Sequence, residues 1–242
     1  MAPPPGYAAY ESLRVAMPDG FKRIKGLAKA IDVLLIISVP LQALGMVGIF
    51  QVRAKARDFL AGNISQSDFS DAATANLTSL GGLLVIPIAV LTIIIMYRMA
   101  ANLRRLGRND PTWAPGWAIG GWFCPPCVIY AIPWLMFREL WKGSDPSLEA
   151  FDPTWKQRPV SPLVNVWWVL YGLVPVLGIL TVGNIGVGRS FGEIDWEELA
   201  RNTVDRHALT VGFAVLTIVT IIVYLAMIRQ LSARHMQATR EQ

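Results

Sequence analysis

The sequence predicts an all-α polytopic membrane protein, with four transmembrane helices plus a Pro/Trp-rich re-entrant or interfacial helical hairpin. Three observations lead there. Hydrophobic residues make up 53% of the 242 and charged residues only 16%, where soluble domains carry about 25% charged. Four apolar runs are each long enough to cross a bilayer core of about 30 Å. Between the second and third lies Asn109 to Pro146, which is apolar but interrupted by Pro115, Pro125, Pro126 and Pro133. That stretch holds Trp113, Trp117, Trp122, Trp134 and Trp141 and both cysteines, and basic residues flank it.

The chain divides into five stretches: a disordered Pro-rich arm and basic flank at 1–26, a first helical pair at 27–108, the re-entrant or interfacial element at 109–146, a second helical pair at 147–230 and a basic tail at 231–242. The opening MAPPPGYAAY lacks periodicity and suits a polyproline-II arm. Its Pro4-Pro5-Gly6-Tyr7 matches a WW-domain ligand pattern, but a low-complexity tail is the simpler reading. Ala30 to Val52 follows Lys22, Arg23, Lys25 and Lys29 and forms the first span. At about 34 Å as a helix it crosses the membrane, and it is too long for a cleavable signal. Asp32 is placed in its first turn, where an acid suits the helix dipole.

Gln51 to Leu60 continues this helix beyond the membrane, and Ser67 and Asp68 read as caps opening a short helix. Leu80 to Met99 is the second span, with a kink expected at Pro87. Val164 to Val187 is the third, carrying Pro175 and several glycines, and Ala208 to Ile228 the fourth. A short helix is expected over Asp195 to Asn202 in the acidic loop between them.

Charge decides how the broken stretch threads. If it dips in and returns, Arg14, Lys22, Arg23, Lys25, Lys29, Arg98, Arg104, Arg105, Arg108, Arg138, Lys142, Lys156, Arg158, Arg229, Arg234 and Arg240 share one side, which is 16 of the 22 basic residues. Only Arg53, Lys55, Arg57, Arg189, Arg201 and Arg206 are left opposite. Basic loops favour the cytoplasm, so both termini are expected there, in a plasma (inner) membrane. A full crossing would make five spans and turn the C-terminal basic residues outward. Length agrees with the dip, since Pro115 to Pro125 is about 16 Å as a helix, half a bilayer. Pro125-Pro126 would turn the chain, and Pro133 would open an amphipathic segment from Trp134 to Lys142 stopped by Gly143. Trp113, Trp117, Trp134, Trp141, Trp167 and Trp168 are candidate interface anchors. Arg104, Arg105, Arg108, Arg138 and Lys142 are candidate lipid headgroup contacts.

The run RMAANLRRLGRNDPTWAPGWAIGGWFCPPCVIYAIPWLMFRELWKGSDP resembles the DUF4328 family of bacterial membrane proteins, frequent in actinobacteria. The likeness rests on Asn102, Pro115, Gly116, Trp117, Trp122, Phe123, Pro125, Pro133, Leu140, Trp141 and Ser144. It implies location and architecture, and no activity. Cys124 and Cys127 stand where the family pattern has ordinary apolar or small residues.

Chemistry is sparse. Cys124-Pro-Pro-Cys127 allows a redox pair or disulfide or half a metal site, with packing as the plain alternative. A metal would need two more ligands, and only His207 and His235 exist. His207 starts the last span and His235 lies in the tail, too peripheral for haem. Gly183 to Ser190 approaches a phosphate-binding loop but ends a membrane helix instead of following a strand. Asn165, Asn184 and Gln42 are expected to bond neighbouring helices or backbone. The sequence predicts no catalytic set, metal or cofactor. Partners are expected to be membrane lipids and other membrane-protein subunits, with no nucleic acid. The first functional reading is a non-enzymatic scaffold or accessory subunit of a membrane complex. The alternatives are a small-molecule transporter or carrier and a thiol oxidoreductase using Cys124 and Cys127.

Overall fold

The structure is a computed structural model and describes residues 20–77, 82–123, 126–186 and 194–241. It is all-helical among those residues. In chain order the helices are α1 (Lys25–Leu60), α2 (Gln66–Leu77), α3 (Val85–Arg105), α4 (Trp117–Gly120), α5 (Pro126–Gly143), α6 (Pro162–Gly186), α7 (Trp196–Asp205) and α8 (His207–Thr239). Single 3-10 turns precede α3 at Gly82–Leu84 and α6 at Trp155–Gln157. Four helical segments are long and apolar enough to cross a membrane: Lys25–Leu60, Gly82–Arg105, Pro162–Thr181 and His207–Thr239, with mean hydropathy between 2.0 and 2.6 in their most apolar windows. Only 11% to 28% of each window is buried inside the chain. Apolar surface left uncovered on that scale is stable against lipid, not water.

Local chemistry explains the helix ends. Pro126 and Pro162 open α5 and α6, where a missing N–H costs nothing. Pro87 sits in the first turn of α3 and not inside the helix as expected, where its missing N–H is readily tolerated. Pro133 is interior to α5, which runs unbroken from Pro126 to Gly143, and residues 115–123 hold only the one-turn α4. Over the described residues, one short turn and one 18-residue helix stand in place of the helix expected from Pro115 and the new helix expected at Pro133, and Pro125 of the expected turn lies outside the described residues. The cap of α2 is Ser65, two residues before the expected Ser67. Its hydroxyl accepts the Asp68 N–H, and the Asp68 carboxylate accepts the Ser65 N–H, both at 3.2 Å. Asp195 caps α7 by accepting the Glu198 N–H at 3.0 Å. The fourth span continues well past Ile228 to Thr239.

The described residues fall into two compact units. The first draws on Met1–Val33, Ala89–Asn165 and Leu225–Gln242, the second on Leu34–Ile88 and Val166–Tyr224. In the second, Val52, Ala56, Phe69, Ala73 and Ala200 form a core flanked by Phe59, Leu199 and Trp196. Phe69 stacks on Phe59 at 5.4 Å and meets Trp196 edge-on at 6.3 Å. In the first, helical spacing builds the core stripes Ile95-Met99-Leu103, Ile132-Met136-Leu140 and Ile228-Leu231-His235. The tail predicted as a polar end is thus part of a packed helix.

Candidate functional site

The first unit contains a buried polar cluster set directly into those apolar stripes. Asn102 of α3, Ser144 just after α5 and His235 of α8 are each 0% exposed. The Asn102 side chain reads Lys22 as a second backbone would. Its Oδ1 accepts the Lys22 N–H at 2.8 Å, and its Nδ2 donates to the Lys22 carbonyl at 2.9 Å. These two bonds fix which end of the amide is nitrogen. The second proton of Nδ2 therefore points at His235 Nε2, 3.1 Å away. Nε2 must accept, so the ring proton lies on Nδ1 and is donated to Ser144 Oγ at 2.7 Å. The imidazole is neutral, both nitrogens are engaged, and every polar atom of Asn102 is satisfied.

Around this cluster, charged groups hold chain segments together. The Glu241 carboxylate accepts the N–H groups of Ile24, at 2.9 and 3.0 Å, and of Lys25, at 3.0 Å, capping α1 from 217 residues away. Arg98 donates to the Arg23 carbonyl at 2.7 Å. Asp32 and Arg229 form a two-pronged pair. Helix α1 begins at Lys25, so Asp32 is two turns in and not in the first turn, and its partner is this guanidinium instead of the helix dipole.

Arg108 follows the end of α3. Gly107, at φ +70°, lets the Arg108 N–H return to Leu103 O at 3.0 Å and the Gly107 N–H to Arg104 O at 3.1 Å. This two-bond stop ends the helix and turns Arg108 inward, where it is 3% exposed. Its guanidinium donates to the carbonyls of Gly143 at 2.9 Å, Glu149 at 2.7 Å and Asp145 at 3.2 Å. Burial lowers its pKa from the usual guanidinium value, while Asp145 and Asp152 oppose that. Asp145 pairs with Arg234 at 2.6 Å. Burial works to raise the Asp145 carboxyl, but the Ser147 hydroxyl and amide, then Arg234 and Arg158, outweigh it and hold it below the ordinary carboxylate value. Glu139 of α5 accepts the N–H groups of Thr112 at 2.5 Å and Trp113 at 3.0 Å, fixing the start of the broken stretch.

The predicted site residues sort themselves by burial. Trp141 is 9% and Trp167 4% exposed, so protein and not lipid surrounds them. Trp117 is exposed and meets the half-buried Trp113 edge-on at 5.8 Å. Trp134 donates to Asn165 at 3.0 Å, as expected of Asn165, and carries the Arg138 guanidinium over its ring at 4.7 Å. Trp168 is half-buried. Arg104 and Arg105 are exposed, and Lys142 donates to the Lys156 carbonyl at 2.7 Å. Arg108 is spent on carbonyls, which removes it from the headgroup set. Cys124 and residues 187–190 lie outside the described residues, as does the Cys127 side chain. Among the described residues, no group of three or more His, Cys, Asp or Glu side chains is placed to hold a metal.

His235, Glu241, Glu139 and the Asp32–Arg229 pair were not singled out from sequence as site residues. The available signal was the spacing Ile228, Leu231, His235, Thr239, which extends the core stripe of α8 into the tail. In the sequence Asn102 and Ser144 stand out only through the family likeness, and His235 is what joins them. No curated protein and no solved structure matches the chain. The family profile described as a domain of unknown function, DUF4328, matches residues 43–233, which takes in Asn102, α5 and Ser144 and leaves Lys22 and His235 outside, and the chain belongs to that family.

Proposed function

We propose that this protein is a non-enzymatic scaffold or accessory subunit of the plasma (inner) membrane, whose buried cluster fixes a Pro/Trp element for display to the bilayer or to a neighbouring subunit. The observation that carries this reading is the presentation of Trp117, Ile119 and Phe123, which are 42%, 48% and 76% exposed within one short stretch. Large apolar side chains crowded on so short a segment are stable when something apolar covers them. The buried polar groups of the same unit bond to backbone and to each other: Asn102, Ser144, His235 and Arg108 hold segments in place and leave no activated nucleophile or base among them.

The element enters and leaves by the inner leaflet, and both termini are cytoplasmic. The bonds from Ile24 and Lys25 to Glu241 support a common side for the two ends, because a bilayer cannot separate groups 3.0 Å apart. Arg104, Arg105, Arg138 and Lys142 then meet anionic headgroups. The test is purification in native nanodiscs from the source membrane, with the triple variant W117S/I119S/F123S in parallel. The expected result is a defined membrane-protein partner that the parent retains and the variant loses while staying folded. A partner-free monomer, or equal retention by the variant, would overturn the reading.

A further inference from the structure

The second unit contains a cationic cluster of its own, around the start of α8. Phe50, Arg53 and Arg57 follow one another along α1 at spacings of three and four, so they share one stripe of that helix. His207, the first residue of α8, is 9% exposed and meets the Phe50 ring edge-on at 4.9 Å. The same stripe brings Arg53 and Arg57 close enough for both charges to act on the His207 ring. Neither arginine has an ion-pair partner among the described residues. Nearby basic groups are otherwise engaged, Arg201 with Glu197 and Arg206 with the Leu180 carbonyl at 3.0 Å.

Two buried nitrogens in this cluster go unused. His207 Nδ1 and Arg53 Nε are both shielded from solvent and have no hydrogen-bond partner. Leaving such a group unbonded costs about 1–3 kcal/mol, and two guanidiniums beside a buried imidazole repel one another as well. An anion relieves both penalties. The first turn of α8 adds the positive end of a 33-residue helix at the same place. A tetrahedral phosphate suits the set: planar guanidinium forks bind its oxygens in pairs and an imidazole N–H takes a further one.

We propose that Arg53, Arg57 and His207 form a binding site for a phosphate-bearing anion at the start of α8. The site adjoins the membrane boundary, since Arg53 directly follows the apolar run ending at Val52 and His207 directly precedes the run beginning at Ala208. A phospholipid headgroup and a free phosphate or phosphate ester share this chemistry. The site also gives a reason for arginines on the side where charge partition expects few.

The experiment uses the full chain. In one arm, protein in phosphatidylcholine nanodiscs is titrated with inorganic phosphate against sodium chloride of equal ionic strength, reading Tm and Kd. In the other, protein extracted from phosphatidylglycerol-containing membranes is examined by native mass spectrometry for retained lipid. The parent is expected to gain a few degrees in Tm at saturating phosphate or to keep one phosphatidylglycerol, and R53Q/R57Q to lose that gain or that lipid. K25Q/K29Q, altered at exposed lysines of the first unit, should behave as the parent. Arg57 is exposed, so R57Q alone keeps the fold and should weaken binding by about tenfold, the value of one charge-assisted contact. A response to phosphate alone identifies a soluble anion, and lipid retention alone identifies a headgroup. No response in the parent to either, or equal responses in parent, R53Q/R57Q and R57Q, overturns the proposal.

Discussion

Asn102 spends one side-chain amide on three partners, the Lys22 N–H, the Lys22 carbonyl and the His235 ring. Asn102→Ala would strand all three in a dry site, and each stranded group costs about 1–3 kcal/mol. The expected loss is about 3 kcal/mol or more, read as a drop in Tm of the detergent-solubilised protein. Asn102→Asp keeps the size but cannot donate to the Lys22 carbonyl, so it should not restore stability. Asp145 makes the pH dependence predictable. Its folded pKa lies below the unfolded value of about 3.9, so its contribution is fully present above that value. The contribution disappears as pH falls through the folded value. The parent should lose Tm as pH falls below about 4, and Asp145→Asn should start lower at neutral pH and lose less over the same acid range. Sequence showed Asn102 and Ser144 only as family-pattern residues, because an isolated polar residue beside a span does not announce its partner. His235 was obscured by its neighbours Arg234 and Arg240, which make the tail look solvated.

At the scale of elements, apolar length and helix-end chemistry were legible and proline was not. Four spans appear where hydropathy places them, and the short α2 and α7 both form, α2 with its cap two residues before the expected Ser67. The prolines mislead because their effect depends on position within the helix: Pro87 and Pro126 fall in first turns and are harmless, whereas Pro133 is tolerated inside α5. The stop of α3 shows what one residue controls. A Cβ on Gly107 would lie 3.0 Å from both Ala150 Cβ and Phe151 N, in a left-handed conformation that L side chains resist. Gly107→Ala should destabilise by about 1–3 kcal/mol and also loosen Arg108, because the two residues belong to one helix stop. Hydrogen exchange at the Phe151 amide, which bonds Gly107 O at 2.9 Å, would report that loosening as lost protection.

For the molecule as a whole, charge partition grouped the N-terminal flank, the central segment and the tail together, and the first compact unit draws on the same three stretches. What composition could not supply is the reason they cohere. That reason is a set of pairings between residues far apart in sequence, such as Asp32 with Arg229, 197 positions on. A single sequence carries no signal for such pairs beyond the presence of opposite charges. Long-range pairing also has a kinetic cost, because loops must close before the contacts stabilise anything.

The carboxylate that seals the opening amides of α1 therefore arrives late in synthesis. A ribosome threading this protein into the membrane must deliver 217 further residues after Ile24 before that amide meets Glu241. Until then the entrance of the first span frays beside Lys22, Arg23 and Lys25. Nascent chains arrested short of Arg229 should be clipped there by trypsin, and completed chains should resist it.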